Sequence, residues 1–200
     1  MKILCISCPI ELPENHRAAV DHFLKRKVDV EFINGVHAET FGILSWRAYR
    51  KNHPKLGELN EMAQVGLCLS HYMAWQVCQF LKGDLFMILE DDAEFPPDWK
   101  DRTADALANV PSDFDVLLIG SSHCSDKPTE HVKGEIYEVK YPFCTHAYIV
   151  TSSAAAQLME MVRDASMHID IGMIEKAYPN LRVYTVLPRI VNQRGRVLPE

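Results

Sequence analysis

The amino-acid sequence predicts an α/β fold, a mixed and mostly parallel sheet flanked by helices. Two observations point there. Short apolar runs of strand length alternate along the chain with stretches of helical period, which is the pattern of crossover units rather than of hairpins. Residues 85–89, Leu-Phe-Met-Ile-Leu, then run without a spacer into Glu90, Asp91 and Asp92, a buried strand ending in clustered acid. With 200 residues, 48% of them hydrophobic, the chain can bury one sizeable core. It carries no internal repeat, low-complexity tract or linker, so residues 1–200 read as a single domain.

The elements follow in order. Residues 2–7 are the first strand. Pro13 and Glu14 open a helix to residue 27, along which Ala18, Val20, Phe23 and Leu24 recur near helical spacing; proline is tolerated at a helix start because the N–H it lacks has no partner there. Residues 28–33 return as the second strand and stop at Asn34-Gly35, completing a βαβ unit. Residues 36–59 show no period and read as a long excursion over the sheet, the kind of segment that lines a site. Residues 61–81 are the longest helical pattern, stopped by Gly83. On it Gly66 and Ser70 lie one turn apart, leaving a small-residue face for another backbone or a flat ligand, with His71 and Trp75 on the adjoining face. Trp75 reads as core. After Pro96-Pro97 come a helix over 99–109, a buried strand over 115–119, a polar loop over 120–128 and an alternating antiparallel edge strand over 135–140. Residues 145–150 are strand-like, and Ser152 or Ser153 caps a helix through residue 161. A helix over 171–177 with Asp170 as a candidate cap, a strand over 181–187 and a solvated tail at 192–196 complete the chain.

Three adjacent carboxylates repel one another, and a fold that gathers them at a strand end commonly supplies a divalent cation. Their hard oxygens suit Mn²⁺ or Mg²⁺, so Glu90, Asp91 and Asp92 are candidate metal ligands. The alternative is an acidic turn with no cation. His71 either faces a ligand or bonds a neighbouring buried group. Other chemistries lack their motifs. The first strand is followed by Cys8-Pro9-Ile10-Glu11-Leu12-Pro13 and not by a glycine loop, which excludes the simplest dinucleotide and P-loop readings, and no G-x-S-x-G elbow is present. A formal net charge of −6 without a Lys/Arg run argues against a nucleic-acid surface. No segment approaches the roughly 20 apolar residues of a membrane helix. The six cysteines lie mostly in apolar runs and read as reduced core thiols, which points to a cytoplasmic location.

Taken in order, Gly66-Leu67-Cys68-Leu69-Ser70-His71 with Trp75, Ile88-Leu89-Glu90-Asp91-Asp92 with Phe95, Thr145-His146-Ala147-Tyr148-Ile149-Val150, and Ile169-Asp170 resemble glycosyltransferase family 25, the lipooligosaccharide-biosynthesis and collagen-galactosyltransferase group. The resemblance extends over nearly the whole chain, to Gln193. It implies a GT-A type fold and an inverting, metal-dependent transfer of a sugar, galactose foremost, from a UDP-sugar donor to a glycan, a lipid-linked oligosaccharide or another hydroxyl acceptor. It further implies that Glu90, Asp91 and Asp92 hold Mn²⁺ or Mg²⁺ against the donor diphosphate, with Asp92 the foremost ligand. Ser70 and His71 would contact donor or acceptor, and Asp170 would be the general base. Asn34, at the tip of the second strand, is a candidate contact for the nucleoside, and His146 for the donor sugar. Arg194 and Arg196 offer a contact to the diphosphate or to a membrane-bound acceptor. Two departures stand out: Ser7 to Glu11 replaces an Asn-Leu-Asp-Arg-like run, and His146 stands where members often carry a small residue. Two rival functions share the same acids, a catalytically silent sugar-nucleotide-binding relative and a metal-dependent phosphoesterase using His123 or His146.

Overall fold

The structure, a computed structural model, describes residues 1–37, 62–81, 83–123, 130–139, 141–162 and 168–196. Most of the excursion expected over 36–59, and the tip of the 120–128 loop with Cys124, lie outside the described residues.

The first βαβ unit forms as expected, with β1 (Lys2–Ser7), α1 (Pro13–Arg26) and β2 (Glu31–Asn34). Helix α1 has proline in its first turn and Lys25 and Arg26 in its last, and it ends with Lys27 in the left-handed region, where the Lys27 and Val28 N–H groups close back on Leu24 and Phe23. The long helix α2 (Met62–Phe80) leads into β3 (Leu85–Glu90), then β4 (Ala93–Glu94) and α3 (Trp99–Asn109). Short strands follow: β5 (Val116–Leu118), β6 (Ser122–His123), β7 (Glu130–Lys133), β8 (Ile136–Glu138) and β9 (Pro142–Phe143). The chain ends with β10 (Ala147–Thr151), α4 (Ser152–Met161), α5 (Ile169–Gly172), β11 (Val183–Val186) and β12 (Asn192–Gln193).

Eight strands form one sheet in the order β2-β1-β3-β10-β5-β11-β8-β7. Six of them run in one direction; β10 and β8 oppose it. Helices cover both faces, so the central strands must be apolar on both sides, which explains their continuous hydrophobic runs. In β1, Leu4 and Ile6 face one layer and Ile3 and Cys5 the other; in β3, Phe86 and Ile88 oppose Met87 and Leu89; in β10, Tyr148 and Val150 oppose Ala147 and Ile149. The first set packs with Trp75 and Cys78 of α2 and Leu158 of α4, the second with Phe23 of α1 and Ala106 of α3. Each large side chain buried this way contributes about 1.5–3 kcal/mol.

Several expectations need correction. Thr151, not Ser152 or Ser153, caps α4, its hydroxyl accepting from the Ala154 N–H at 3.1 Å, because β10 runs directly into the helix. Strand β8 is not the sheet edge, since β7 pairs outside it. Helix α5 begins at Ile169 behind His168, which puts Asp170 inside its first turn rather than ahead of it; the chain then continues through a π turn, Met173–Ala177. The tail at 192–196 is solvated only in part, with Asn192, Gly195 and Arg196 exposed but Gln193 buried. Residues Asn192 and Gln193 pair with Glu94 and Ala93 and so close over the acidic turn.

Candidate active site at the acidic turn

β3 delivers three carboxylates to the carboxyl end of the sheet, but a strand that breaks into a turn sends successive side chains in different directions. Glu90 points towards α2 and β10, Asp91 towards β1, and Asp92 towards β12. Among the described residues, no group of three or more His, Cys, Asp or Glu side chains comes close enough to hold a metal ion.

Glu90 has two donors on one oxygen. Its Oε1 accepts from the Thr145 hydroxyl at 2.7 Å and lies 3.3 Å from His71 Nε2. Behind it the chain continues: His71 Nδ1 lies 3.0 Å from the Tyr148 hydroxyl, which accepts from Trp75 Nε1 at 2.9 Å. The indole can only donate, so the Tyr148 proton goes to His71 Nδ1, and His71 as the Nε2–H tautomer donates to Glu90. All three partners are wholly buried. Burial alone would raise the Glu90 pKa, but the hydrogen bonds from His71 and Thr145 outweigh it and hold the carboxyl below its ordinary value.

Asp91 accepts from the Ser7 hydroxyl at 2.8 Å, and His16 Nδ1 lies 3.1 Å from the same oxygen. Because the Ser7 proton is given to Asp91, His16 donates to Ser7; this Ser-His-Asp grouping has the wrong polarity for a serine nucleophile. Burial and the Glu90 charge raise the Asp91 pKa against the pull of Ser7. Asp92 is the contrasting group. Gln193 Nε2 donates to its Oδ2 at 2.7 Å, while its Oδ1 is buried with no donor among the described residues. Burial, then Glu90 and Asp91, push its pKa up to about 6, against the opposing Gln193 bond. A divalent cation would relieve both the orphaned oxygen and the charge, so the donor chemistry at Asp92 fits one.

Two cavities flank Glu90 and share Leu67 as a common wall. The first, about 220 Å³, is largely apolar and is lined by Ile6, Ser7, Cys8, Val36, Ser70 and Asp91 among others. It exists because α2 approaches β2 closely: Ser70 donates to Gly66 O at 2.7 Å and accepts from the Val36 N–H at 2.8 Å. A side chain at Gly35 would meet Cys8 Sγ at 2.9 Å, so anything larger than glycine forces Cys8 to shift. The small-residue face of α2 thus receives a backbone. The second cavity, about 360 Å³, is polar, with Glu90, Thr145, His168, Asp170, Gln193 and Arg196 on its walls. Asp170 is braced there: Oδ1 accepts from the Ile171 N–H at 2.8 Å and Oδ2 from the Cys144 N–H at 3.4 Å. Cys144 holds a left-handed backbone, φ 71°, a conformation that costs about 1–3 kcal/mol and marks the cavity wall as over-determined. Gly195, φ 72°, turns the chain so that Arg196 returns to the same wall.

Of the residues singled out in the sequence, Ser70, Glu90 and Asp91 line the apolar cavity and Glu90 and Asp170 the polar one. Asn34 is exposed at the end of β2, paired in register with Ser7. His71 and His146 lie behind the walls: His71 reaches the site through Glu90, and His146, 1% exposed, bonds Val191 O through Nε2 at 3.2 Å. Residues that sequence reasoning left without a role are Ser7, Thr145 and Gln193. Ser7 was accessible to the rule that α/β sites gather at the carboxyl ends of neighbouring strands. Gln193 required the pairing of β12 with β4, which no local pattern announces.

The comparisons agree with this architecture. A family model described as glycosyltransferase family 25 (LPS biosynthesis protein) matches residues 13–173. A glycosyltransferase 25 family member of Aedes aegypti is 24% identical over 74% of this chain and 26% of its own length, and procollagen galactosyltransferase 1 of Danio rerio is 27% identical over 66% of this chain and 22% of its own. The chain therefore spans about a quarter of the length of these relatives. Among solved structures, a glycosyltransferase involved in glycosylation of the major capsid of PBCV-1 superposes with a TM-score of 0.56 over 98% of this chain and 93% of that one, at 10% identity. The fold is thus of the GT-A type, and with the acidic turn, the braced Asp170 and a family match over most of its length, this chain belongs to glycosyltransferase family 25.

Proposed function

We propose that this glycosyltransferase moves a sugar, galactose foremost, from a UDP-sugar to a hydroxyl of a glycan or lipid-linked acceptor, with inversion and with a divalent cation at Asp92. The observation that carries the reading is the pair of cavities meeting at Glu90, one apolar beside Ser7 and one polar around Asp170. A nucleoside suits the apolar pocket, where Ser7, Ser70 and the backbone near Val36 offer polar groups among Ile6, Cys8 and Leu67. The reacting hydroxyl suits the polar one. There Asp170, fixed by two backbone N–H groups, keeps free lone pairs on both oxygens with which to accept the hydroxyl proton as the new glycosidic bond forms and the diphosphate departs. Arg196 on the same wall adds positive charge near the leaving group. When bound, Mn²⁺ or Mg²⁺ would stabilise charge on the diphosphate oxygens. Asp92 is its principal seat, and Glu90 is held instead by His71 and Thr145 as a fixed wall between the pockets. The galactose choice draws support from the name of the Danio rerio relative.

The test is UDP release from a panel of UDP-sugars, with Mn²⁺ or with chelator, for the wild type and Asp170→Asn. The reading expects Mn²⁺-dependent release that favours one UDP-hexose and falls at least about 100-fold in Asp170→Asn. Release that ignores both the metal and Asp170 would contradict it.

A further inference from the structure

We propose that Gln193 is a ligand of the divalent cation, so that the cation seat joins Asp92 on the acidic turn to the amide oxygen of the C-terminal strand. This rests on the reading above that the site takes a cation; it adds which groups hold it.

Two buried acceptors lie on one bonded pair of side chains without a donor between them. Gln193 Nε2 donates to Asp92 Oδ2 at 2.7 Å, which fixes the orientation of the amide, since the opposite flip would set oxygen against oxygen. That leaves Gln193 Oε1 and Asp92 Oδ1, and both are buried with no hydrogen-bond donor among the described residues. Leaving such an acceptor buried is costly, so two on a joined pair are a strong statement that something positive belongs there. The neighbouring carboxylates do not share this need. Glu90 has two donors, and Asp91 has Ser7.

The backbone holds Gln193 at that position. Gln193 pairs with Ala93 and Asn192 with Glu94, the Arg194 N–H donates to Asp92 O at 2.7 Å, and the Arg194 guanidinium donates to Asp91 O at 2.8 Å. Gln193 is 8% exposed, and it also lines the cavity that holds Asp170. A neutral amide oxygen and a carboxylate oxygen on one hydrogen-bonded pair of side chains are hard donors of the kind Mn²⁺ and Mg²⁺ accept, with water or phosphate oxygens completing the shell. The divergence of Glu90 and Asp91 thus ceases to be an obstacle, because the second protein ligand comes from the other end of the chain.

The experiment titrates Mn²⁺ alone, and Mn²⁺ with UDP, into the full chain and follows loss of the free-ion electron paramagnetic signal. Wild type, Gln193→Ala and Asp92→Ala are compared, with melting in chelator confirming that each is folded. Gln193→Ala should weaken Mn²⁺ binding about 10- to 100-fold. A second variant separates ligation from mere support of Asp92. Gln193→Cys places a soft thiolate at the position and should gain Cd²⁺–thiolate charge-transfer intensity above whatever the wild type's own free cysteines give, a gain that adding Asp92→Ala removes. Wild-type Mn²⁺ affinity in Gln193→Ala, or no such gain in Gln193→Cys, while Asp92→Ala still abolishes binding, would overturn the assignment of Gln193 alone. Absence of Mn²⁺ binding to the wild type with and without UDP would overturn the cation-dependent reading and this assignment together.

Discussion

Glu90 and Asp92 stand two residues apart on one turn, yet the protein surrounds them in opposite ways. On the Glu90 side Oε1 takes donors from Thr145 and from His71, which Tyr148 and Trp75 tie into the core, no side-chain oxygen is left buried without a partner among the described residues, and the carboxyl titrates low. On the Asp92 side the pair Asp92–Gln193 retains two buried oxygens without donors, and the carboxyl titrates high. The difference teaches that neighbouring acids need not share a task. The first side is a completed frame that belongs to the fold; the second is incomplete as protein and makes sense as a seat for something that arrives.

If that contrast holds, substitutions on the two sides separate activity from stability. The largest effect is expected in transfer itself. Asp92→Asn keeps an acceptor for Gln193 but removes the charge, so turnover should fall about 100-fold or more while the metal-free midpoint does not drop. A matching loss of midpoint would break the comparison. Next, His71→Ala removes a fully buried ring and leaves Glu90 and Tyr148 without their shared partner. Denaturant unfolding should show a loss of about 2–4 kcal/mol, and Mn²⁺ affinity should change far less. Tyr148→Phe sharpens the same side at smaller scale, because it deletes one hydroxyl that serves Trp75 and His71; about 1–2 kcal/mol is expected with turnover within a few-fold of the wild type.

The smallest effect is a pH dependence away from the turn. His22 Nε2 accepts the Phe95 N–H at 2.8 Å, and burial, opposed by Glu94 and aided by Arg26, Arg194 and Lys25, lowers its pKa below 6.5. A lowered histidine contributes stability that is whole above 6.5 and is lost as pH falls from there through its folded value, because the unfolded chain takes up the proton first. His22→Gln should flatten that part of the stability curve, and an unchanged slope would show that His22 is not its source.

Much of this was legible in the sequence. The apolar strands, α1, α2 and the acid tip of β3 follow from period and from residue type, because burial on both faces forces continuous hydrophobic runs. The order of the Ser70-His71, Glu90-Asp91-Asp92 and Asp170 segments carried the family. What stayed hidden depends on distance along the chain. That Glu90, Asp91 and Asp92 diverge follows from where β3 bends, and that Gln193 meets Asp92 follows from a strand of two residues pairing with another of two. Neither leaves a periodic trace. The cap of α4 was misplaced by one or two residues because Thr151, Ser152 and Ser153 are chemically alike as caps and only the strand end selects among them.

The most direct measurement of the central claim is the melting midpoint of the wild type and Asp92→Asn with UDP, with Mn²⁺ and with both. The account predicts that UDP and Mn²⁺ together raise the wild-type midpoint by more than the sum of their separate effects, and that Asp92→Asn loses this gain while remaining folded. An equal rise with UDP in chelator, or a full rise in Asp92→Asn, would contradict it.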